Sequence, residues 1–116
     1  MEKEIEIREN ACGGSGKMII EHLLNKEQLN GMCRIYARVT MPAGSSLGFH
    51  EHFNESETYF FISGKGTFTD TNHNEIAVQA GDTTFTGSGE GHGIANAGDE
   101  PLVFMALIIN DEKRYL

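Results

Sequence analysis

A chain of 116 residues with 17 acidic and 9 basic side chains, net charge −8, has room for one domain and for a core that needs no disulfide or metal staple. Its basic residues are scattered, with only Lys113 and Arg114 adjacent. That excludes the clustered positive charge a phosphate backbone or anionic membrane requires, so the expected partners include neither.

Cys12 and Cys33 do not make a disulfide framework. The charged start, Met1 to Glu4, has no apolar stretch of a secretory signal behind it. The longest apolar run near either end, 102–109, is far shorter than the ~20 residues of a membrane span. A cytoplasmic location is the resulting expectation.

Fourteen glycines and two prolines, against a usual glycine share of ~7%, predict many turns and no long helix. In chain order, Glu4-Ile5-Glu6-Ile7 alternates with the period of a half-buried strand. Gly13 to Lys17 reads as a flexible connector, Met18 to Leu24 as extended, and Asn25 to Asn30 as one helical turn at most. From Cys33 to Met41 the faces separate: Cys33, Ile35, Ala37, Val39 and Met41 on one, Arg34, Tyr36, Arg38 and Thr40 on the other. Strands are predicted over 57–62, 65–70, 75–79, 83–86, 92–96 and 102–109, with the turn residues Thr71 to Asn74 closing a hairpin. Short strands at this spacing predict an all-β sandwich or barrel, in a single domain over 1–116.

His50 and His52 lie two apart on an expected strand, so both imidazoles leave one face. Glu57 follows beyond a bend at Phe53-Asn54-Glu55, and His92 opens a later strand. Neutral imidazoles with a carboxylate suit a divalent transition metal, with no thiolate needed. Glu55 is a rival carboxylate, but Glu57 is the better placed at the head of the aromatic strand. His22 and His73 fit no ligand spacing. Ala11 to Met18 is no phosphate loop, because Met18 stands where Ser or Thr is required.

Gly44, His50, His52, Glu57 and Gly64, then Gly81, Gly89, His92 and Asn96, stand at the spacings of two motifs. On these residues the chain resembles the cupin family, closely over 44–96 and in strand rhythm over about 33–109. Gly87 stands where the second motif usually has proline, which predicts a looser turn there. The N-terminal strands, within 1–30, lie outside both motifs.

The resemblance implies a double-stranded β-helix, the cupin jelly-roll barrel. It also implies one divalent ion (Zn, Mn, Fe or Ni) held by His50, His52, Glu57 and His92. Four ligands on an octahedral ion leave two positions open for a small-molecule ligand. Strand parity turns Tyr59, Phe61, Ile94 and Asn96 inward as an expected pocket lining, and Phe60 and Ile62 outward. Cupins include metal-dependent dioxygenases, decarboxylases, isomerases and epimerases as well as non-catalytic binding modules. The expected ligand is a small oxygen-rich metabolite, a carboxylate or sugar acid. The expected assembly is a homodimer through Phe60 and Ile62, with the N-terminal strands free to extend the partner's sheet. The competing monomer would cover Phe60 and Ile62 with those strands.

Overall fold

The structure, a computed structural model, describes residues 3–115. Alternation of apolar and polar residues yields β1 (Glu4–Glu9), β2 (Lys17–His22), β3 (Cys33–Met41), β4 (Ser46–Glu51) and β5 (Glu55–Ser63). The second half adds β6 (Lys65–Thr69), β7 (Glu75–Gln79), β8 (Thr83–Thr86), β9 (Gly91–Asn96) and β10 (Leu102–Asn110). One short helix, α1 (Lys26–Leu29), starts at Asn25, where the Asn25 and Gln28 side chains cap each other's backbone N–H groups. No helix among the described residues is long and apolar enough to cross a membrane.

The strands form two antiparallel sheets, ordered β1-β2-β3-β10-β5-β8 and β4-β9-β6-β7. This is the double-stranded β-helix. Their facing sides enclose one apolar core: Ala37, Val39, Phe61 and Phe104 of the larger sheet meet Phe68 and Ile94 of the smaller. Period-two burial holds along β5 and β10, so Tyr59 and Phe61 are buried while Phe60 and Ile62 stay 47% and 42% exposed.

The motif glycines Gly44, Gly64, Gly81 and Gly89 all sit at positive φ, between 80° and 94°. Side-chain-bearing residues enter that region only with strain, so the spacing of these glycines is the spacing of the turns. Gly87 brings a brace of its own to this turn. Its N–H donates to the Glu90 carboxylate at 2.6 Å, a bond that proline, lacking an N–H, could not make.

Two N-terminal expectations are corrected. Residues 13–17 are not a slack connector, because Gly14 packs against the backbone of Ser46 and Gly48 while Ser15 bonds Ser46 and Gly44. β1 and β2 extend their own chain's sheet, β2 pairing with β3, and neither covers Phe60 or Ile62. In β1 the apolar residues Ile5 and Ile7 face solvent. Glu4, Glu6 and Arg8 take the opposite face, toward the barrel's mouth, because register sets them opposite His22, Ile20 and Met18.

A third correction concerns Arg34. Ile35 pairs with Ile108 but Cys33 with Ile109, so a β-bulge leaves Arg34 as the extra residue. It leaves the face of Tyr36 and Arg38 and reaches Glu55 with two hydrogen bonds, at 3.0 and 2.8 Å.

At Gly64, φ is +87° and an added Cβ would meet the Pro101 carbonyl, whereas at Gly44, φ +80°, it would meet nothing. Gly44→Ala should therefore cost about 1 kcal/mol of backbone strain alone. Gly64→Ala should cost clearly more. Denaturant midpoints of the two variants check the order.

Candidate metal centre

His50, on β4, is the direct cross-strand partner of His92, on β9, in the smaller sheet. His52 follows just past the end of β4, where its backbone bonds to Glu90 and Gly89 replace the sheet ladder. Glu57 comes from the opposite sheet, on β5 between Thr86 of β8 and Ile108 of β10. The site therefore spans both sheets at one end of the core.

One ligand atom from each of these four residues falls within 4.8 Å of the others. His92 Nε2 lies 3.0 Å from His52 Nε2 and 3.2 Å from His50 Nε2. Glu57 Oε1 lies 3.0 Å from both His52 Nε2 and His92 Nε2. The four residues expected to hold a metal are brought together, and His52, Glu57 and His92 are buried.

Each ring is oriented by its other nitrogen. His50 Nδ1–H donates to the Gly48 carbonyl at 2.8 Å, and His52 Nδ1–H to Glu55 Oε2 at 2.6 Å. His92 Nδ1 lies 2.8 Å from Thr86 Oγ1. With Nδ1 protonated on His50 and His52, their Nε2 lone pairs converge on a carboxylate. Such a group repels itself unless positive charge sits at its centre. Three imidazoles and one carboxylate suit a divalent first-row ion, so the donor set fits the metal that the motif spacing implies.

Over residues 37–109 the chain matches the model of a family described as the cupin domain. The chain belongs to the cupin family. It is 44% identical over 100 residues to the oxalate-binding protein of Thermotoga maritima, covering 86% of this chain and 82% of that protein. It is 37% identical over 79 residues to the oxalate decarboxylase of Bacillus subtilis, 65% of this chain but 20% of that protein. A crystal structure of a predicted oxalate decarboxylase from Thermotoga maritima superposes with a TM-score of 0.88 at 42% identity, over 94% of each chain.

In this cupin a cavity of about 200 Å³ opens on His50, His52 and Glu57. Its walls are mainly apolar, with Ile20, Val39, Leu47, Phe104 and Ile108 among them, and Arg8, Cys12 and Arg34 add polar groups. Of the expected pocket residues only Tyr59 lines it. Phe61 and Ile94 are packed in the core. Asn96 braces a turn, donating to Met41 and Glu100 carbonyls and accepting from Gly98 N–H.

Glu55, the rival carboxylate, stands behind His52 and is itself held by Arg34 and, at 3.5 Å, Arg114. The signal for this role was its place three residues after a ligand histidine, across the bend. Thr86 and Arg34 gave no such signal.

Burial works to raise the Glu57 carboxyl, but hydrogen bonds from His52 and His92 outweigh it and lower it to about 2. Burial likewise opposes ionisation of Glu55, and bonds from Arg34 and His52 again leave the carboxyl below its usual range. The His52 imidazole is raised by its bond to Glu57, against burial. His50 is lowered, first by burial and then by the neighbouring imidazoles.

Two measurements follow. Glu55→Gln removes the full charge behind His52 and should weaken divalent-metal binding ~10–100-fold, while Glu57→Gln, which removes a ligand, should weaken it further. Equilibrium dialysis compares them. Glu57 raises the affinity of His52 Nε2 for a second proton, so an ion taking that lone pair must compete with the proton. Metal affinity should then fall about tenfold per pH unit on acidification, beginning above the ordinary imidazole value of ~6.5. A competition titration across that range measures the slope.

Proposed function

We propose that this cupin binds a small dicarboxylate, oxalate foremost, through one divalent ion held by His50, His52, Glu57 and His92. The observation that carries the reading is the cavity itself, which opens on the ligand group and measures only about 200 Å³. Pockets for drug-sized molecules run to ~300–1,000 Å³, so this one fits a ligand of few atoms. The name and 44% identity of the Thermotoga relative support the same ligand.

When bound, the ion would supply the positive charge that draws a carboxylate oxygen into a largely apolar cavity. The chain's own residues do the rest. Val39, Leu47, Phe104 and Ile108 keep water from the ligand, which strengthens each polar contact inside. Tyr59 keeps its hydroxyl proton, because burial and then the Glu57 charge push its pKa well above 10, so it serves as a neutral wall beside His92 at 3.5 Å.

Binding is favoured over turnover by what surrounds the ligand. Decarboxylating oxalate to carbon dioxide and formate requires a proton delivered to the carbon that loses carbon dioxide. General acids are most effective with a pKa near the working pH. Among the described residues that line the cavity, no carboxyl or imidazole lies outside the four-residue group. The second reading, a decarboxylase, rests on the names of the Bacillus relative and the matching crystal structure.

Calorimetry on metal-loaded protein should show oxalate binding that is lost on chelation and in His50→Ala and His92→Ala. Formate assayed on the same samples should stay at background. Formate production with multiple turnovers would establish the decarboxylase, and no oxalate binding at any metal loading would defeat both readings.

The outer face of the larger sheet supports a homodimer as the working unit. It exposes Ile5, Ile7, Tyr36, Phe60, Ile62 and Phe85, and apolar surface of that extent usually marks a contact. A two-fold pair covers it with a copy of itself. Light scattering at micromolar concentration should give twice the chain mass, and Phe60→Lys with Ile62→Lys should give the monomer.

A further inference from the structure

Outside the ligand group, the cavity has two permanent cations on its wall. Arg34 is committed, its Nε and Nη2 both bonded to Glu55. Arg8 is not. Of the five N–H donors of an arginine, only Arg8 Nε–H is engaged, by Glu6 at 2.5 Å. Both Nη groups lack a protein acceptor among the described residues. The side chain enters the cavity from β1, a strand outside the 37–109 family match.

Its placement follows from the reversal of β1. Register sets Arg8 opposite Met18, whose side chain is buried beneath the same cavity, while Ile7 turns to solvent. Glu6 is tethered on its other side, its Oε1 to His22 Nε2 at 2.9 Å. The Glu6–His22 pair thus steadies the guanidinium from outside, since Glu6 and His22 line an adjacent cavity and not this one. Within the metal-side cavity Glu57 is the one acid against Arg8 and Arg34. Each arginine is paired through a carboxylate outside the cavity, Glu6 or Glu55, so what the wall offers an anion is the free Nη donors of Arg8.

We propose that Arg8 is the specificity residue of this cavity, holding the second carboxylate of a dianionic ligand whose first carboxylate meets the ion. This rests on the carboxylate-binding reading above and adds to it a reason for two charges. The free Nη groups match a carboxylate as a fork. A monocarboxylate of similar size would leave Arg8 with nothing to hold.

The test is calorimetry of metal-loaded protein with oxalate and with acetate, alongside the bound-metal content. Wild type should bind oxalate more tightly than acetate. Arg8→Ala should lose about tenfold or more in oxalate affinity, with acetate affinity and metal content unchanged. Arg8→Lys, which keeps charge but not the fork, should fall between. Arg8 is about half exposed on an edge strand, so neither variant threatens the fold. If Arg8→Ala binds oxalate as wild type does, or loses oxalate and acetate equally, the role of Arg8 is overturned while carboxylate binding stands. If wild type binds neither anion with metal in place, both proposals fall.

Discussion

The structure is organised around one electrostatic constraint: three imidazole nitrogens and a carboxylate oxygen brought within hydrogen-bonding distance, with positive charge needed among them. No single element could supply that convergence. His50 and His92 come from paired strands of one sheet, Glu57 from the facing sheet, and His52 from the chain as it leaves β4. The tight turns at the motif glycines, the bulge in β4 before His50 and the backing bonds to Gly48, Glu55 and Thr86 all serve to hold those four atoms where they would not otherwise stay.

The same constraint explains which parts of the molecule were legible in the residues. The two-apart histidines, the later glutamate and the distant histidine could be read because strand alternation is strictly periodic, and because glycine at positive φ marks turns without ambiguity. Arg34 could not, because a bulge adds one residue to one strand and leaves no trace in the alternation before it. Nor could the direction of β1. Alternation says that Ile5 and Glu6 part company, but not which of them faces the barrel, and at this strand the polar side turns inward. Asn96 matched its motif position, yet its amide is consumed by backbone groups around one turn.

Charge is distributed against the overall balance. The surface is acidic, and the ion pairs at the larger sheet's N-terminal edge, Lys3 and Arg38 with Glu21, are exposed and contribute little to stability. The pairs beside the cavity differ in kind. Glu55 is buried and shared among Arg34, Arg114 and His52, so its charge is compensated by several partners at once, and losing all of them would leave it buried and unpaired.

Arg114 carries a consequence of its own. Its backbone N–H donates to the Gly31 carbonyl at 2.8 Å, its guanidinium reaches the Asn54 carbonyl at 3.1 Å, and Glu55 is its neighbour. Residues around Arg114 are thereby latched across the bend at Asn54 and the start of β5 at Glu55, one hydrogen bond removed from His52. A fusion partner or protease that pulls residues 112–115 away would loosen that latch, and the disturbance would reach the orientation of the His52 ring. Distance along the chain is a poor guide to distance from the centre, since Arg114 is one contact from Glu55 and two from the four clustered residues.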